Sequence, residues 1–331
     1  MDSSKKFPTK LTISASVLVG LFLLWLLFVG LRVIDVKSPI LLTIEKGASL
    51  EEAAKKLEDS AVIHDAWSFQ LLARIFGMGS EIKAGKYKFE AGATGFQVLQ
   101  KIHRGYFARN RIRIQEGWTF SDLRHALDAH DAIHHKTSGW SLKKIMQELD
   151  ISYAHPEGLF FPDTYIFSGG TSDLKIMSLA NKKMTRILEK EWKSRSENIR
   201  LKDPYEALII ASIIEKETYL RAEKSIISGV FSNRLKKKMR LQADPTVIYG
   251  LGDNFDGDIR TKDLKTDNPY NTYTRNGLPP TPIALPSESS IRAAMRPTET
   301  SALYFVAKGD GTHQFSDNLK AHNRAVRKYQ R

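Results

Sequence analysis

The sequence predicts an α+β protein, and three observations carry that prediction. First, two segments 70 residues apart share one plan: "LTIEKGASLEEAAKKL" from residue 42 and "IRIQEGWTFSDLRHAL" from residue 112. Each alternates as a strand does, turns at a glycine (Gly47, Gly117), and offers Ser49 or Thr119 as an N-cap before an apolar-periodic helix. Second, "DLKIMSLANKKMTRILEKEW" has the apolar spacing of a long amphipathic helix, and a strongly apolar helix follows Asp203-Pro204, placed as N-cap and first helical residue. Third, the chain from residue 241 onward is punctuated by Pro and Gly and ends in a hairpin and a short helix. The paired segments are either a duplication or a recurrent strand–turn–helix unit.

Ahead of these elements, residues 11–31 run for 21 residues without a charge. As a helix they would span about 30 Å, the thickness of a bilayer core. A cleaved signal peptide has a shorter apolar region and a small-residue site at its end, whereas here Arg32-Val33-Ile34 follows. An uncleaved transmembrane helix is therefore expected. Lys5, Lys6 and Lys10 make residues 1–10 a cytoplasmic tail and put the rest of the chain outside the cytoplasmic (inner) membrane.

The formal net charge is +13, which attracts polyanions: nucleic acid, anionic lipid or an acidic cell wall. Export argues against nucleic acid. The run "RLKKKMR", residues 234–240, is either a solvated helix face or a patch that meets wall or lipid. Cysteine is absent, which excludes disulfides, Cys-ligated zinc and thiol nucleophiles. No glycine-rich phosphate loop is visible, so a pyridoxal-phosphate lyase finds no support.

The first strand–turn–helix unit continues through "AWSFQLLARIF", a strand "AGKYKFE", and a helix opened by Thr94. This order over residues 40–107 is similar to LysM glycan-binding modules, with "TIEKGASLEEAAKKL" carrying the resemblance; a plain α/β spacer has the same order. Residues 108–155 hold the second unit and a connector with helical pieces. Residues 156–331 form the remaining domain, opening on the Pro-, Gly- and aromatic-rich "HPEGLFFPDTYIFSGG".

Within that domain "LIIASIIEKETYL", residues 208–220, ends an apolar run in Glu215-Lys216-Glu217. On a helix over 206–219 with Glu217 at zero, Ile210, Ile213 and Ile214 fall at about 20°, −40° and 60°, and Glu215 at about 160°. The denser isoleucine stripe runs under Glu217. A carboxyl held against apolar side chains loses hydration in its charged form, so it stays protonated near neutral pH as a general acid must. Spacing alone favours the plainer reading, a residue at a solvent boundary.

"ASIIEKET", "NRL", "MRLQADPTVIYG", "YNTY", "GLPPTPIA", the late "HN" and the upstream "EGLFFPDTY" occur in order, and with them the sequence resembles the endolytic murein transglycosylases, the YceG-like lytic transglycosylases of bacterial inner membranes. The resemblance covers essentially the whole chain. It implies Glu217 as the catalytic acid. It also implies cleavage of the β-1,4 bond between N-acetylmuramic acid and N-acetylglucosamine within peptidoglycan strands, leaving a 1,6-anhydro end, with no metal or organic cofactor.

Asp244, Thr246, Tyr249, Asn271 and Tyr273 are expected to line the cleft as hydrogen-bond partners, or to serve as turn, cap and core. Glu215 is grouped with them, as an ion-paired organiser of the helix end or as the acid should Glu217 not be. Asp163 is a second carboxylate or a loop-fixing Asx turn; His313 and Asn323 have no assigned part. Two rival readings stay open: a membrane-anchored scaffold that binds peptidoglycan without cutting it, and a muramidase-type hydrolase. The expected partners are glycan strands and the synthases that make them.

Overall fold

Side-chain caps set where the helices begin. The computed structural model describes residues 9–33 and 38–330, apart from the side chains of 9–16 and 26–27. Ser49 and Thr119 both cap helices as their spacing predicts, each in a reciprocal capping box, with Glu52 and Asp122 respectively. Two hydrogen bonds per box satisfy amides that the first helical turn leaves orphaned.

The chain divides into two compact units, one formed by residues up to 110 with 167–169, the other by 111–166 with the remainder. The first holds α1 (Thr9–Leu31), β1 (Ile40–Ile44), α2 (Leu50–Asp59), α3 (Ala66–Ile75), β2 (Gly85–Phe89) and α4 (Gly95–Arg104). β1 and β2 pair antiparallel from Ile40 opposite Phe89 to Ile44 opposite Gly85. Alternate strand residues Leu42, Ile44, Tyr87 and Phe89 turn inward onto Leu57, Leu72 and Leu99 from the three helices. Among the described residues no helix is long and apolar enough to cross a membrane. The span expected over 11–31 falls in α1, where the side chains of 11–16 and 26–27 lie outside what is described.

β3 (Arg109–Arg113) pairs with β4 (Thr164–Ser168), and the division between the units runs through both strands. The second unit continues with α5 (Phe120–Asp128), α6 (Leu142–Glu148), α7 (Asp173–Lys193), α8 (Pro204–Glu217), α9 (Arg221–Lys236), α10 (Asp244–Leu251), α11 (Thr261–Lys265) and α12 (Glu288–Met295). The antiparallel hairpin β5 (Tyr304–Ala307) and β6 (His313–Ser316) and the helix α13 (Leu319–Tyr329) close the chain. The mixed α+β architecture is the one expected. The strand–helix unit and connector over 111–155 belong with the later helices.

α8 is the centre of this unit. Asp203 caps it by accepting from Glu206 N at 2.8 Å, Pro204 occupies its first turn, and residues 207–215 are buried without a break. α7, α9, α10 and α12 all pack against it. A helix apolar on every face is one surrounded by protein.

The helix stops two residues earlier than expected. Thr218 is extended (φ −150°, ψ 140°), and Tyr219 points away from the helix at 94 % exposure. In "RLKKKMR" Lys236, Lys237 and Lys238 are exposed, but Arg234 is buried.

Candidate active site

The two glutamates that end α8 have opposite surroundings. Glu215 is the deeper. Its carboxylate accepts from Lys224 Nζ at 3.1 Å, from Ser287 N and Oγ at 2.8 and 2.5 Å, and from Ser290 Oγ at 2.6 Å. Burial would raise its pKa, but the serine hydroxyls, the Lys224 ammonium and the Ser287 amide outweigh burial and hold it below the usual range. Glu215 is therefore an internal tie between α8, α9 and α12, closed to a sugar, and not the substrate contact with which it was grouped.

Glu217, the last residue of α8, keeps partial exposure, yet protein atoms crowd its carboxyl and no donor among the described residues bonds it. Lost hydration pushes its pKa up to about 8; the charge of Asp244 adds to the rise and Arg234 opposes it. Its place in the last helical turn, where unpaired carbonyls disfavour negative charge, acts in the same direction as burial. The isoleucine stripe did not separate these residues, because α8 is buried all round. Their partners do. Lys216 between them donates to Gly117 O at 3.3 Å.

Three elements surround this acid. Asp244 opens α10, is exposed, and accepts from the Tyr273 hydroxyl. Burial raises the Tyr273 pKa, and the hydrogen bond to Asp244 and the charges of Asp244 and Glu217 raise it further. Asp244 and Tyr273 both lie close enough to Glu217 to be coupled to it electrostatically.

The turn that delivers Asp244 is strained: Gln242 has φ 51°, a left-handed value that non-glycine residues adopt at a cost. Arg234 holds this turn. Its Nη1 donates to Arg240 O, Leu241 O and Gln242 Oε1 at 2.9–3.0 Å, and its Nε donates to Leu303 O at 2.6 Å. Its guanidinium also sits 5.0 Å from the Tyr304 ring centroid. Sequence reasoning passed over Arg234; the signal was its place in "NRL" within a run read as surface charge.

Thr246 and Asn271 are fully buried and face no opening. Thr246 Oγ1 bonds Ala243 O and Thr272 Oγ1, while Asn271 Nδ2 donates to the carbonyls of Asp263, Leu264 and Thr266. They fix the loops on which Asp244 and Tyr273 stand, which is a positioning part and not contact with substrate.

Tyr249 lies at the other end of α10 and donates to Glu157 Oε2 at 3.0 Å. Glu157 is a second buried carboxyl that the sequence did not single out, although it stands in "EGLFFPDTY". Burial pushes it up to about 7 against the hydrogen bonds from Tyr249 and the Phe120 and Gly158 amides. Gly158 beside it has φ 78°, and a Cβ there would collide with Pro282, so the turn requires glycine.

Asp163 is ion-paired with Lys183 and accepts from Thr164 N at 2.7 Å, a loop-fixing arrangement. His313 Nδ1 meets Glu223 Oε2 at 2.6 Å. Asp128, His135 and Asp173 bring ligand atoms within 4.8 Å of one another. Asp173 is a poor ligand for a cation, because its oxygens already accept the Lys136, Thr137 and Leu174 amides and the Thr137 hydroxyl.

The buried helix thus ends in a carboxyl that no donor among the described residues bonds, with its pKa raised, beside a carboxylate, a tyrosine and an arginine. The YceG-like family model matches residues 42–328, and the chain belongs to that family. It is 33 % identical to an endolytic murein transglycosylase of Bacillus subtilis, over 89 % of this chain and 86 % of that protein. It is 26 % identical to the endolytic murein transglycosylase of Streptococcus pneumoniae, covering 88 % of this chain and 58 % of that longer protein. A 2.6 Å crystal structure of a yceG-like protein from Listeria monocytogenes superposes with a TM-score of 0.57 at 30 % identity, over 87 % of this chain and 99 % of the other.

Proposed function

We propose that this chain is an endolytic lytic transglycosylase that cuts the N-acetylmuramic acid–β-1,4–N-acetylglucosamine bond inside peptidoglycan strands. The observation that carries the reading is Glu217, a carboxyl of raised pKa that no donor among the described residues bonds, in a member of a family with relatives of that name. Its proton goes to the glycosidic oxygen as the bond from that oxygen to the muramyl anomeric carbon breaks. The muramyl C6 hydroxyl attacks the same carbon, and the Glu217 carboxylate takes the hydroxyl proton. The product is a 1,6-anhydro ring and the acid is restored. The nucleophile is part of the substrate, so proximity is supplied by the sugar and one carboxyl suffices; an ordinary glycosidase needs two at a set separation.

Asp244 and Tyr273 hold hydroxyl and N-acetyl groups at the mouth of the site. Residues 11–31 anchor the chain in the cytoplasmic membrane with its N-terminus inside, and residues 40–107 grip glycan as a LysM-like module. Held there beside the synthases, the acid reaches nascent strands and its cuts end their growth.

The test is digestion of purified peptidoglycan by the full chain and by Glu217→Gln, with mass spectrometry of the released muropeptides. Anhydro ends from wild type alone support the reading. Reducing ends indicate a hydrolase, and binding without release on nascent, uncrosslinked strands indicates a scaffold.

A further inference from the structure

α13 serves two neighbours with two faces. His322 stacks on Tyr304, ring centroids 5.1 Å apart, and Tyr304 lies beneath the Arg234 guanidinium. One step around the helix, Ala321, Arg324, Ala325 and Lys328 line a cavity of 520 Å³ shared with β6 and the residues before β5. That size lies within the range of about 300–1,000 Å³ typical of ligand sites. The alanines keep its floor low. Arg324 and Lys328, one helical turn apart and exposed, make no ion pair among the described residues. Gln314 contributes an amide from the opposite wall, and at one end stands the Asp317 carboxylate, which accepts from Asn318 Nδ2 at 2.6 Å.

We propose that this groove binds the peptide stem carried by the glycan strand, an inference that rests on the proposed transglycosylase reading. A stem peptide presents several free carboxylates on a short chain, and while uncrosslinked it also keeps a free amine. Two cations a turn apart with a carboxylate at one end complement that pattern; an anionic lipid headgroup would answer to the cations alone.

The groove is coupled to the acid through α9. Asn233 Nδ2 holds Thr300 O and Ala302 O at 2.7 and 3.1 Å, and the next residue, Arg234, holds Leu303 O and acts on Glu217. A stem seated in the groove therefore fixes the strand against residues 300–302, which α9, the helix carrying the arginine of the site, holds in place.

The test is equilibrium binding by the full chain of a soluble disaccharide–tetrapeptide and of the same disaccharide without peptide, at low salt. Wild type is expected to bind the peptide form about tenfold or more tightly, as one retained charge-assisted contact gives. Arg324→Ser/Lys328→Ser should bind both ligands alike, and Arg324→Lys should keep most of the preference. Equal binding of both ligands by wild type, or an unchanged preference in the double variant, overturns the proposal. So does a double variant that loses binding to phosphatidylglycerol vesicles alone. Binding is read without cleavage, so failure of the lytic chemistry shows separately, as absent anhydro ends in the digestion above.

Discussion

Glu215 and Lys224 face each other at 3.1 Å with side-chain exposures of 3 % and 4 %, and two residues along α8 Glu217 has no such partner among the described residues. The first pair locks helices together; the second position leaves its carboxyl available for the acid chemistry proposed above. Lys224→Met strands a buried carboxylate and should cost about 3–5 kcal/mol in denaturant unfolding, with the anhydro-forming site still assembled in the fraction that folds. Because the Glu215 pKa is lowered, the stability it provides is full above its ordinary value of 4.5 and is lost as pH falls through the lower folded value. Glu215→Gln should flatten that acid limb.

Glu217 has the opposite sign. Its pKa is raised from 4.5 to about 8, so between those values the folded protein holds a proton that the unfolded chain has lost. Stability from this group is greatest below pH 4.5 and declines until pH 8. Glu217→Gln keeps the shape without the titration. It should unfold at a higher denaturant concentration than wild type at pH 8 and at the same concentration near pH 4, while cleavage falls by about 10²–10⁴-fold.

Much of this architecture was legible from local chemistry. Ser49, Thr119 and Asp203 announce helix starts because capping is settled by a few neighbouring residues. The family was legible too, through its motifs. Glu157 and Arg234 were not, because their importance depends on partners 92 and 69 residues away, Tyr249 and Leu303. Asn271 read as a cleft residue for the same reason. A buried asparagine bridging three carbonyls and an exposed one facing a sugar share one sequence signature. The stop at Glu217 was also hidden, since Thr218 and Tyr219 could continue a helix and only the extended backbone of Thr218 ends it.

Asp244 and Arg234 act on Glu217 with opposite signs. General-acid chemistry needs the protonated form, so the alkaline limb of kcat/KM follows the Glu217 pKa. Asp244→Asn removes a like charge and should move that limb to lower pH. Arg234→Gln removes an opposing charge and should move it higher, while also lowering stability because four acceptors lose their donor. Two limbs displaced in the same direction would disprove the arrangement.

Tyr219 is 94 % exposed two residues past the acid, and folding gains almost nothing from a ring in that position. On the proposed transglycosylase reading, a ring exposed this close to Glu217 is expected to stack on a sugar of the strand. Tyr219→Ala should leave the melting temperature unchanged and raise KM by about 2–10-fold with little change in kcat, as loss of a stacking contact worth about 0.5–1.5 kcal/mol requires. An unchanged KM would remove this residue from the substrate path.

Glu157 provides the sharpest separation of structure from chemistry. It joins Phe120 N at 2.9 Å and the Tyr249 hydroxyl at 3.0 Å, so it ties the start of α5 to α10, the helix that also carries Asp244. With its pKa raised from 4.5 to about 7, it binds a proton in the fold over a range where the unfolded chain does not, and stability from it declines as pH rises from 4.5 to 7. Glu157→Gln can still accept from Phe120 and cannot ionise, so at pH 8 it should be at least as stable as wild type. Glu157→Ala leaves the Phe120 amide buried without an acceptor and should cost about 1–3 kcal/mol. If Glu157 were a second catalytic carboxyl, the glutamine variant would lose cleavage as completely as Glu217→Gln. As a tie between helices it should retain most of it, with a KM close to wild type.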